Sequence, residues 1–294
     1  MGCGRWGRFI LRDLVALECS VVVVAGSEAS RHRATEGGAT TIVDAVEDLT
    51  GVDGVVVATP TSTHAGVVDA ALDLGVPVFV EKPLTDDLEA AMALFRRAPD
   101  RLFVMDKWRY HPGVEAIAGL AASGQYGKLR GIRTRRLSWG HSHSDVDAVW
   151  VLLPHDLAIV LEIAGLIPEV ACASGLRGAG MNAHLTAILG PEPACILEVS
   201  SMSPFNERRI VVTFEEATVA LDGGYADHIR LLHHGSTSTE EKSIPIPPDL
   251  PLFRELAAFV GYLQGDAPPR SSAAEGALIV RRIAEARSSM DPAA

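Results

Sequence analysis

The residues from Gly54 to Leu84 constrain the fold more than any other part of this 294-residue chain, and they read GVVVATPTSTHAGVVDAALDLGVPVFVEKPL. Val55–Ala58 is a short apolar run typical of a strand covered on both faces, and it ends at Thr59-Pro60, where proline cannot continue a ladder. The next apolar residues recur at helical spacing until Gly75, and Val78–Val80 then predicts a second strand. The pattern therefore predicts a β-α-β unit with two buried parallel strands.

The ends of both predicted strands open onto one edge of a parallel sheet, because the β-α-β crossover is right-handed. Ligands of such sheets bind at that edge. Lys82 follows the second strand directly, and Thr61 and His64 lie on the turn after the first. A cation there can reach a substrate oxygen or a cofactor carbonyl. The alternative is a solvated loop lysine paired with Glu81.

The turn ATPTSTHA, followed about twenty residues later by Glu81-Lys82-Pro83, resembles the signature of the Gfo/Idh/MocA family of NAD(P)-dependent oxidoreductases. The resemblance covers the N-terminal half of the chain. It implies a nicotinamide site that includes Thr59, Pro60, Thr61, His64, Glu81 and Lys82, with Lys82 as a catalytic residue. It also implies a homodimer or homotetramer that associates through an open sheet face.

Gly2, Gly4 and Gly7 form a G-x-G-x-x-G pattern, which permits a tight turn and close approach of the backbone to a pyrophosphate. A predicted helix follows, so its amino terminus and the intervening Cys3, Arg5 and Trp6 are expected to contact the dinucleotide. No strand precedes Gly2, although a doubly wound sheet places one there at its centre. We therefore expect the natural protein to start upstream of Met1.

Val21–Ala25, after the glycine turn and its helix, predicts another strand, and the end of that strand is the position that selects between NAD and NADP. Here the strand runs into Gly26-Ser27-Glu28, with Arg31 and Arg33 close behind. A small residue beside arginines suits the 2′-phosphate of NADP, so Ser27 and Arg31 are candidate contacts and NADP is the favoured cofactor. Glu28 lies one position beyond the usual site of the carboxylate that binds the NAD ribose, so NAD is the alternative cofactor.

The chain carries a formal net charge of −11, which argues against a general nucleic-acid or anionic-membrane surface, since those partners need clustered lysine and arginine. Its four cysteines have neither metal-ligand spacing nor the density of a disulfide scaffold, as expected for reduced thiols in the cytoplasm. No apolar run is long enough for a membrane span. The sequence predicts a cytoplasmic protein without nucleic-acid or membrane partners.

The predicted fold class is α/β, with a Rossmann-type doubly wound parallel sheet followed by an α+β domain that has a mostly antiparallel, open-faced sheet. Residues 1–106 form the predicted dinucleotide-binding domain, apparently without its first strand. Residues 107–294 form the predicted domain for substrate binding and oligomerisation, because several β-rich runs separated by Gly and Pro follow residue 168.

The segment Trp150–Asp156 leads into apolar residues at helical spacing, which predicts that His155 lies in the first turn of a helix. The family resemblance implies that this histidine is the general acid/base, whereas a capping or partly buried structural histidine is the alternative. In relatives with the pattern W-D-L-x-P-H-D, an aspartate precedes the histidine by four residues, but this chain has Val151 there. Asp156, Asp147 and Asp145 are candidates to compensate.

Leu102–Met105 predicts the last strand of the parallel sheet, and the cluster from Asp106 to His111 follows it directly. Its members Lys107, Arg109 and Tyr110 are candidate substrate-binding residues, because cationic and aromatic side chains bind sugar hydroxyls or anions. A structural role at the domain junction is an equal alternative. His141 and His143 form an HxH pattern without a third partner, so no metal site is predicted.

Together these observations predict an oxidoreductase that transfers a hydride between nicotinamide and a carbinol or carbonyl carbon of a sugar, nucleotide sugar or polyol. Reduction of an imine or enol-type double bond is a second enzymatic possibility. The alternative from another class is a catalytically impaired dinucleotide-binding sensor, or a structural partner in a sugar-biosynthesis complex, which Val151 favours.

Overall fold

A computed structural model describes residues 2–140, 145–178, 180–235 and 241–290. The chain divides into two compact units, the first formed by residues 1–107 and 250–280, the second by residues 108–249 and 281–294. We number helices and strands in chain order.

The first unit is built from short apolar strands that alternate with helices. Its elements are α1 (Gly7–Ala16), β1 (Val22–Val24), α2 (Glu28–Glu36), β2 (Thr41–Val43), β3 (Val55–Val57), α3 (His64–Leu72), β4 (Val78–Glu81), α4 (Leu88–Arg97), β5 (Leu102–Met105) and α7 (Pro251–Leu263). Strand β1 pairs in parallel with β2, and β3, β4 and β5 form a separate parallel sheet in that order. Polar side chains begin two of the helices: Ser27 caps α2 and Asp87 caps α4.

The second unit is organised around one long sheet. Its elements are α5 (Pro112–Ser123), β6 (Leu129–Trp139), α6 (Ala148–Ala164), β7 (Val170–Gly178), β8 (Met181–Leu189), β9 (Ala194–Ser200), β10 (Met202–Phe214), β11 (Ala217–Leu221), β12 (His228–His233) and β13 (Glu241–Pro245). Among the described residues the strand order is β13-β12-β11-β10-β6-β9-β8-β7, and every neighbouring pair is antiparallel except β6 with β9. The last helix, α8 (Ala273–Met290), contains the division between the units. The predicted fold class is confirmed.

The compact units differ from the predicted domain division in the placement of residues 250–280, which belong to the first unit. The apolar face of α7 explains this, because Leu252, Leu256 and Phe259 pack into the same buried cluster as Phe79 and other residues of the parallel sheet. The rings of Phe79 and Phe259 lie 4.9 Å apart. The sequence pattern alone does not show the surface on which this helix packs.

The start of α6 also differs from the prediction. The helix begins at Ala148, since the Asp147 carboxylate accepts hydrogen bonds from the N–H groups of Val149 and Trp150. Pro154 therefore lies inside the helix, and His155 lies beyond its first turn. Proline is favoured at the first position of a helix, and for this reason the predicted start of α6 near Pro154 came too late in the chain. Strands β2, β7 and β13 were also missed by the sequence pattern.

Candidate active site

The glycine turn before α1 is fixed by backbone contacts that only glycine permits. Gly2 has φ of 85°, and a Cβ there would lie 2.7 Å from the carbonyl oxygen of Ala58. A Cβ on Gly7 would clash with the carbonyl oxygen of Gly2. A Cβ on Gly4 would meet no atom of the described residues within 4 Å, so none of their contacts requires glycine there. Open space at this position fits close approach by a pyrophosphate.

The amino terminus of α1 faces this turn without a competing side chain. No side chain caps the helix at Trp6, and its first turn contains no acidic residue. No acidic residue of the first helical turn itself offsets the positive end of the helix dipole, which suits a bound phosphate. Cys3 is buried, and burial raises the pKa of its thiol, so Cys3 behaves as a small packing residue. The residues present thus fit a dinucleotide.

The candidate ribose contacts lie at the start of α2. The Ser27 hydroxyl accepts a hydrogen bond from the Ser30 N–H at 3.2 Å. Arg31 forms an ion pair with Asp44, and the guanidinium of Arg33 donates to the carbonyl oxygen of Cys3 at 2.8 Å. Both arginines therefore have partners within the first unit, and Arg33 supports the glycine turn.

The turn after β3 is held to the Glu-Lys-Pro turn by His64. The two ring nitrogens of His64 lie 2.9 Å from the Pro83 carbonyl oxygen and 3.0 Å from the Thr59 carbonyl oxygen. His64 and Thr61 are buried, with 1% and 4% of their surface exposed. These contacts connect the carboxyl ends of β3 and β4. A direct contact of His64 or Thr61 with the cofactor stays a prediction.

The Glu-Lys-Pro turn is also linked to the glycine turn. The indole N–H of Trp6 donates a hydrogen bond to Glu81, and the Lys82 backbone N–H donates to the other Glu81 oxygen at 3.1 Å. The ammonium of Lys107 lies 4.5 Å from the centre of the Trp6 ring, a cation–π contact. Glu81 thus joins the two segments that sequence analysis had identified separately.

A buried carboxylate near this turn was missed by sequence reasoning. Glu255 of α7 is 1% exposed, and its Oε2 atom has no hydrogen-bond partner among the residues that the structure describes. Burial raises the pKa of Glu255 well above its ordinary value, and the negative charges of Glu81 and Asp106 raise it further. Burial likewise raises the pKa of Glu81. The available signal was a glutamate between Leu252, Leu256 and Phe259 on the apolar face of a predicted helix.

In the second unit, His155 lies on α6, one turn after Val151. Val151, which stands where relatives have an aspartate, therefore lies on the same side of the helix as His155. The neighbouring Asp156 forms a buried ion pair with Arg136, with bonds of 2.8 and 3.3 Å. Asp147 caps α6 and also binds Asn182 and Arg287. Asp156 and Asp147 therefore both have structural partners, and compensation for Val151 by an aspartate stays a prediction.

The candidate substrate residues after β5 are mostly enclosed. Arg109 and Tyr110 are buried, and Arg109 pairs with Glu162 at 2.8 Å. Trp108 stacks on His111, and the guanidinium of Arg136 lies 4.6 Å from the Trp108 ring centre. This segment packs into the second unit, which favours the structural alternative for Arg109 and Tyr110. Substrate binding by Lys107, Arg109 and Tyr110 stays a prediction.

His141 and His143 lie outside the described residues, so the HxH pattern has no structural outcome. Within the described ranges, no three His, Cys, Asp or Glu side chains group as metal ligands. No helix there is both long and apolar enough to cross a membrane.

Comparison with known proteins gives a family match and close structural similarity. The sequence model of the oxidoreductase family with an NAD-binding Rossmann fold, GFO_IDH_MocA, matches residues 1–104. A UDP-N-acetylglucosamine 3-dehydrogenase of Acidithiobacillus ferrooxidans is 34% identical over 183 residues, which cover 60% of this chain and 56% of that protein. A myo-inositol dehydrogenase of Streptomyces leeuwenhoekii is 31% identical over 140 residues, which cover 45% and 43%. The chain thus spans about half the length of these curated relatives.

The solved structure of a levoglucosan dehydrogenase in complex with NADH and levoglucosan superimposes with a TM-score of 0.87, at 14% identity, over 99% of this chain and 96% of that one. At this identity the similarity establishes the fold alone. The sequence matches, the glycine turn and the linked Glu-Lys-Pro turn agree on one assignment. Residues 1–104 of the chain match the NAD-binding Rossmann fold of the Gfo/Idh/MocA oxidoreductase family.

Proposed function

We propose that the chain is an NAD(P)-dependent dehydrogenase or reductase that acts on a CH–OH group of a sugar, nucleotide sugar or polyol. The observation that carries the proposal is the Trp6–Glu81 hydrogen bond, which joins the glycine turn to the turn that bears Lys82 at the carboxyl edge of the parallel sheet. The names of the relatives support this substrate class, because they act on a nucleotide sugar and an inositol. They favour an enzyme over a catalytically impaired sensor.

In this mechanism the Lys82 ammonium donates a hydrogen bond to the reacting oxygen and stabilises negative charge on it. His155 takes the hydroxyl proton during oxidation and returns it during reduction, a role that the ordinary pKa range of histidine suits. When bound, the nicotinamide ring accepts or supplies the hydride. Glu81 holds the backbone of Lys82 through the 3.1 Å hydrogen bond, and this bond orients the turn.

The test compares Lys82→Ala with Lys128→Ala, a lysine of the second unit that forms an exposed ion pair with Glu192. Lys82→Ala should reduce kcat by about a hundredfold to ten-thousandfold, while the dinucleotide Kd stays within about threefold. Lys128→Ala should leave both unchanged. Absorbance of the reduced nicotinamide, followed with UDP-sugars, inositols and anhydrosugars, measures turnover. Unchanged turnover of Lys82→Ala would refute the assignment.

We further propose NADP as the preferred cofactor, with the Ser27 hydroxyl and the Arg31 guanidinium at the 2′-phosphate. Their position at the start of α2 supports this choice, although Asp44 offsets part of the charge of Arg31. Arg31→Ala should weaken NADPH binding about tenfold, a loss of about 1.4 kcal/mol, and leave NADH binding nearly unchanged. Equal losses for the two cofactors would refute a contact of Arg31 with the 2′-phosphate.

A homodimer or homotetramer formed through the open sheet face is proposed as the assembly. Exposed apolar side chains on the second unit's sheet support it: Ile188 and Ile196 are paired across β8 and β9 and are 42% and 37% exposed. Light scattering during size-exclusion chromatography should give a multiple of 31.2 kDa.

The free thiols of the described cysteines support placing the reaction in the cytoplasm.

A further inference from the structure

The side of α7 that packs on the parallel sheet carries a glutamate among apolar residues. Glu255 follows Leu252 by three residues and precedes Phe259 by four, so all three lie on one side of the helix. Leu252 and Phe259 pack in one buried cluster with Phe79 of β4 and Met105 of β5. Glu255 is therefore held against the sheet, with 1% of its surface exposed.

Glu81, at the carboxyl end of β4, turns towards the same helix. Successive side chains of a strand point to opposite faces, so Glu81 shares its face with Phe79, two residues earlier. The ring of Phe79 lies 4.9 Å from the ring of Phe259 on α7. Glu81 is also in register with Met105 of β5, which packs in the same cluster as α7. The carboxyl groups of Glu81 and Glu255 therefore both enter the layer between β4 and α7.

Three carboxyl groups and two lysines form a charged cluster in this layer. Asp106, directly after β5, is 1% exposed. The charge of Glu81 raises the pKa of Glu255 more than the charge of Asp106 does, and Lys82 and Lys107 are the cations that act most strongly on Glu81. Two ammonium groups balance two carboxylates, so the third carboxyl is expected to keep its proton. Glu255 is that group, because its buried Oε2 atom has no hydrogen-bond partner among the described residues.

We propose that Glu255 is a positioning residue for Lys82: its carboxyl O–H donates a hydrogen bond to the Glu81 carboxylate and thereby holds the turn that bears Lys82. Glu81 already accepts hydrogen bonds from the Trp6 indole N–H and the Lys82 backbone N–H. With Glu255 as a third donor, Glu81 is anchored to α7 as well as to the glycine turn. The inference rests on the proposed role of Lys82, but its first test requires no turnover.

The test variants change only the head group of Glu255. Methionine is an unbranched side chain of similar length without a donor, whereas glutamine keeps a neutral N–H donor at the same place. If Glu255 only filled space, Glu255→Met would equal or surpass Glu255→Gln, since it replaces an unpaired buried polar atom by an apolar one. Glu255→Leu takes the place of Glu255→Met if that variant does not fold. Glu89→Met, at an exposed position of α4 in the same unit, is the control.

Hydrogen exchange of the Lys82 amide reports the turn directly in the full chain without added ligand. Glu255→Met should accelerate exchange in the peptide of residues 79–84 by about fivefold or more, the equivalent of one hydrogen bond. Glu255→Gln and Glu89→Met should stay within about twofold of the parent, and the peptide of residues 129–139 in the second unit should be unchanged in all variants.

Equal exchange of residues 79–84 in Glu255→Met and Glu255→Gln would overturn the proposal. Loss of folding in both Glu255→Met and Glu255→Leu would also overturn it, because a positioning role requires that the fold tolerate an apolar head group.

Turnover then tests whether Glu255 acts through Lys82. With the UDP-sugar, inositol or anhydrosugar that the parent turns over, Glu255→Met should lower kcat about tenfold, and Glu255→Gln should retain most of it. In the Lys82→Ala background, Glu255→Met should cause no further loss, since a residue that acts through another is not additive with it. Additive losses, or a loss from Lys82→Ala without one from Glu255→Met, would overturn this inference alone. No loss from Lys82→Ala would refute the proposed function and the catalytic part of this inference with it.

Discussion

The edge of the parallel sheet in the first unit and the surroundings of His155 in the second unit use polar residues differently. At the sheet edge, Trp6, Glu81 and Lys82 connect two turns to each other. Around His155, Asp156 and Asp147 are committed to Arg136, Asn182 and Arg287. Similar residue types therefore serve a candidate site in one unit and hold the fold in the other. Their hydrogen-bond partners, rather than their identity, separate the two roles.

The buried Arg136–Asp156 pair provides the largest test of this comparison. Arg136→Ala leaves Asp156, whose side chain is 2% exposed, without its cation, and should reduce the free energy of unfolding by about 3–5 kcal/mol. Urea denaturation measures the change. Arg135→Ala, which breaks contacts of a 35% exposed side chain with Glu198 and Glu207, should cost less than about 1 kcal/mol. If Arg136→Ala were harmless to stability, Asp156 would again become a candidate for catalysis.

Glu255 gives a smaller, pH-dependent test at the sheet edge. Its pKa is raised in the folded protein above the ordinary 4.5, so the folded state binds the proton more tightly than the unfolded state does. The contribution of Glu255 to stability is therefore fully present below about pH 4.5 and falls as the pH rises towards the folded pKa.

Glu255→Gln removes this dependence, so the stability of the variant relative to the parent should increase between pH 4.5 and pH 8. Thermal or urea unfolding at both pH values measures the difference. Glu47→Gln, at an exposed position of the same unit, serves as the control. Parallel pH profiles of Glu255→Gln and its parent would contradict the proposed protonation.

The smallest expected effect concerns the link between the two turns. Trp6→Phe keeps the aromatic ring that contacts Phe9 and Lys107 but removes the N–H that donates to Glu81. The loss of one hydrogen bond, about 1 kcal/mol, should weaken dinucleotide binding about fivefold. Fluorescence titration with NADH or NADPH measures it. Trp139→Phe, at a 76% exposed position of the second unit, should bind the dinucleotide with the affinity of the parent. Equal affinities of the parent and both variants would show that the Trp6–Glu81 hydrogen bond is dispensable for binding.

Much of the parallel sheet could be predicted, because β3, β4 and β5 are short apolar runs, and Gly or Pro residues flank β3 and β4. Strand β2 is only three residues long and β13 reads EKSIP, so neither carries a period that distinguishes a strand from a loop. The start of α6 escaped prediction because Pro154 is more typical of a helix start than of a helix interior. Local patterns thus predict elements with strong periodicity and miss those that tertiary contacts stabilise.

By itself, the sequence determined the fold class, the family match of residues 1–104 and the two turns at the carboxyl ends of the strands. These depend on local spacing of glycine, proline and apolar residues, and right-handed crossovers bring such segments to one edge of a sheet. The tertiary structure alone decided that α7 packs on the first unit and brings Glu255 near Glu81, and that Asp156 pairs with Arg136. Those contacts join residues far apart in the chain, and whether a polar side chain is buried and paired depends on the packed neighbours rather than on its position in sequence.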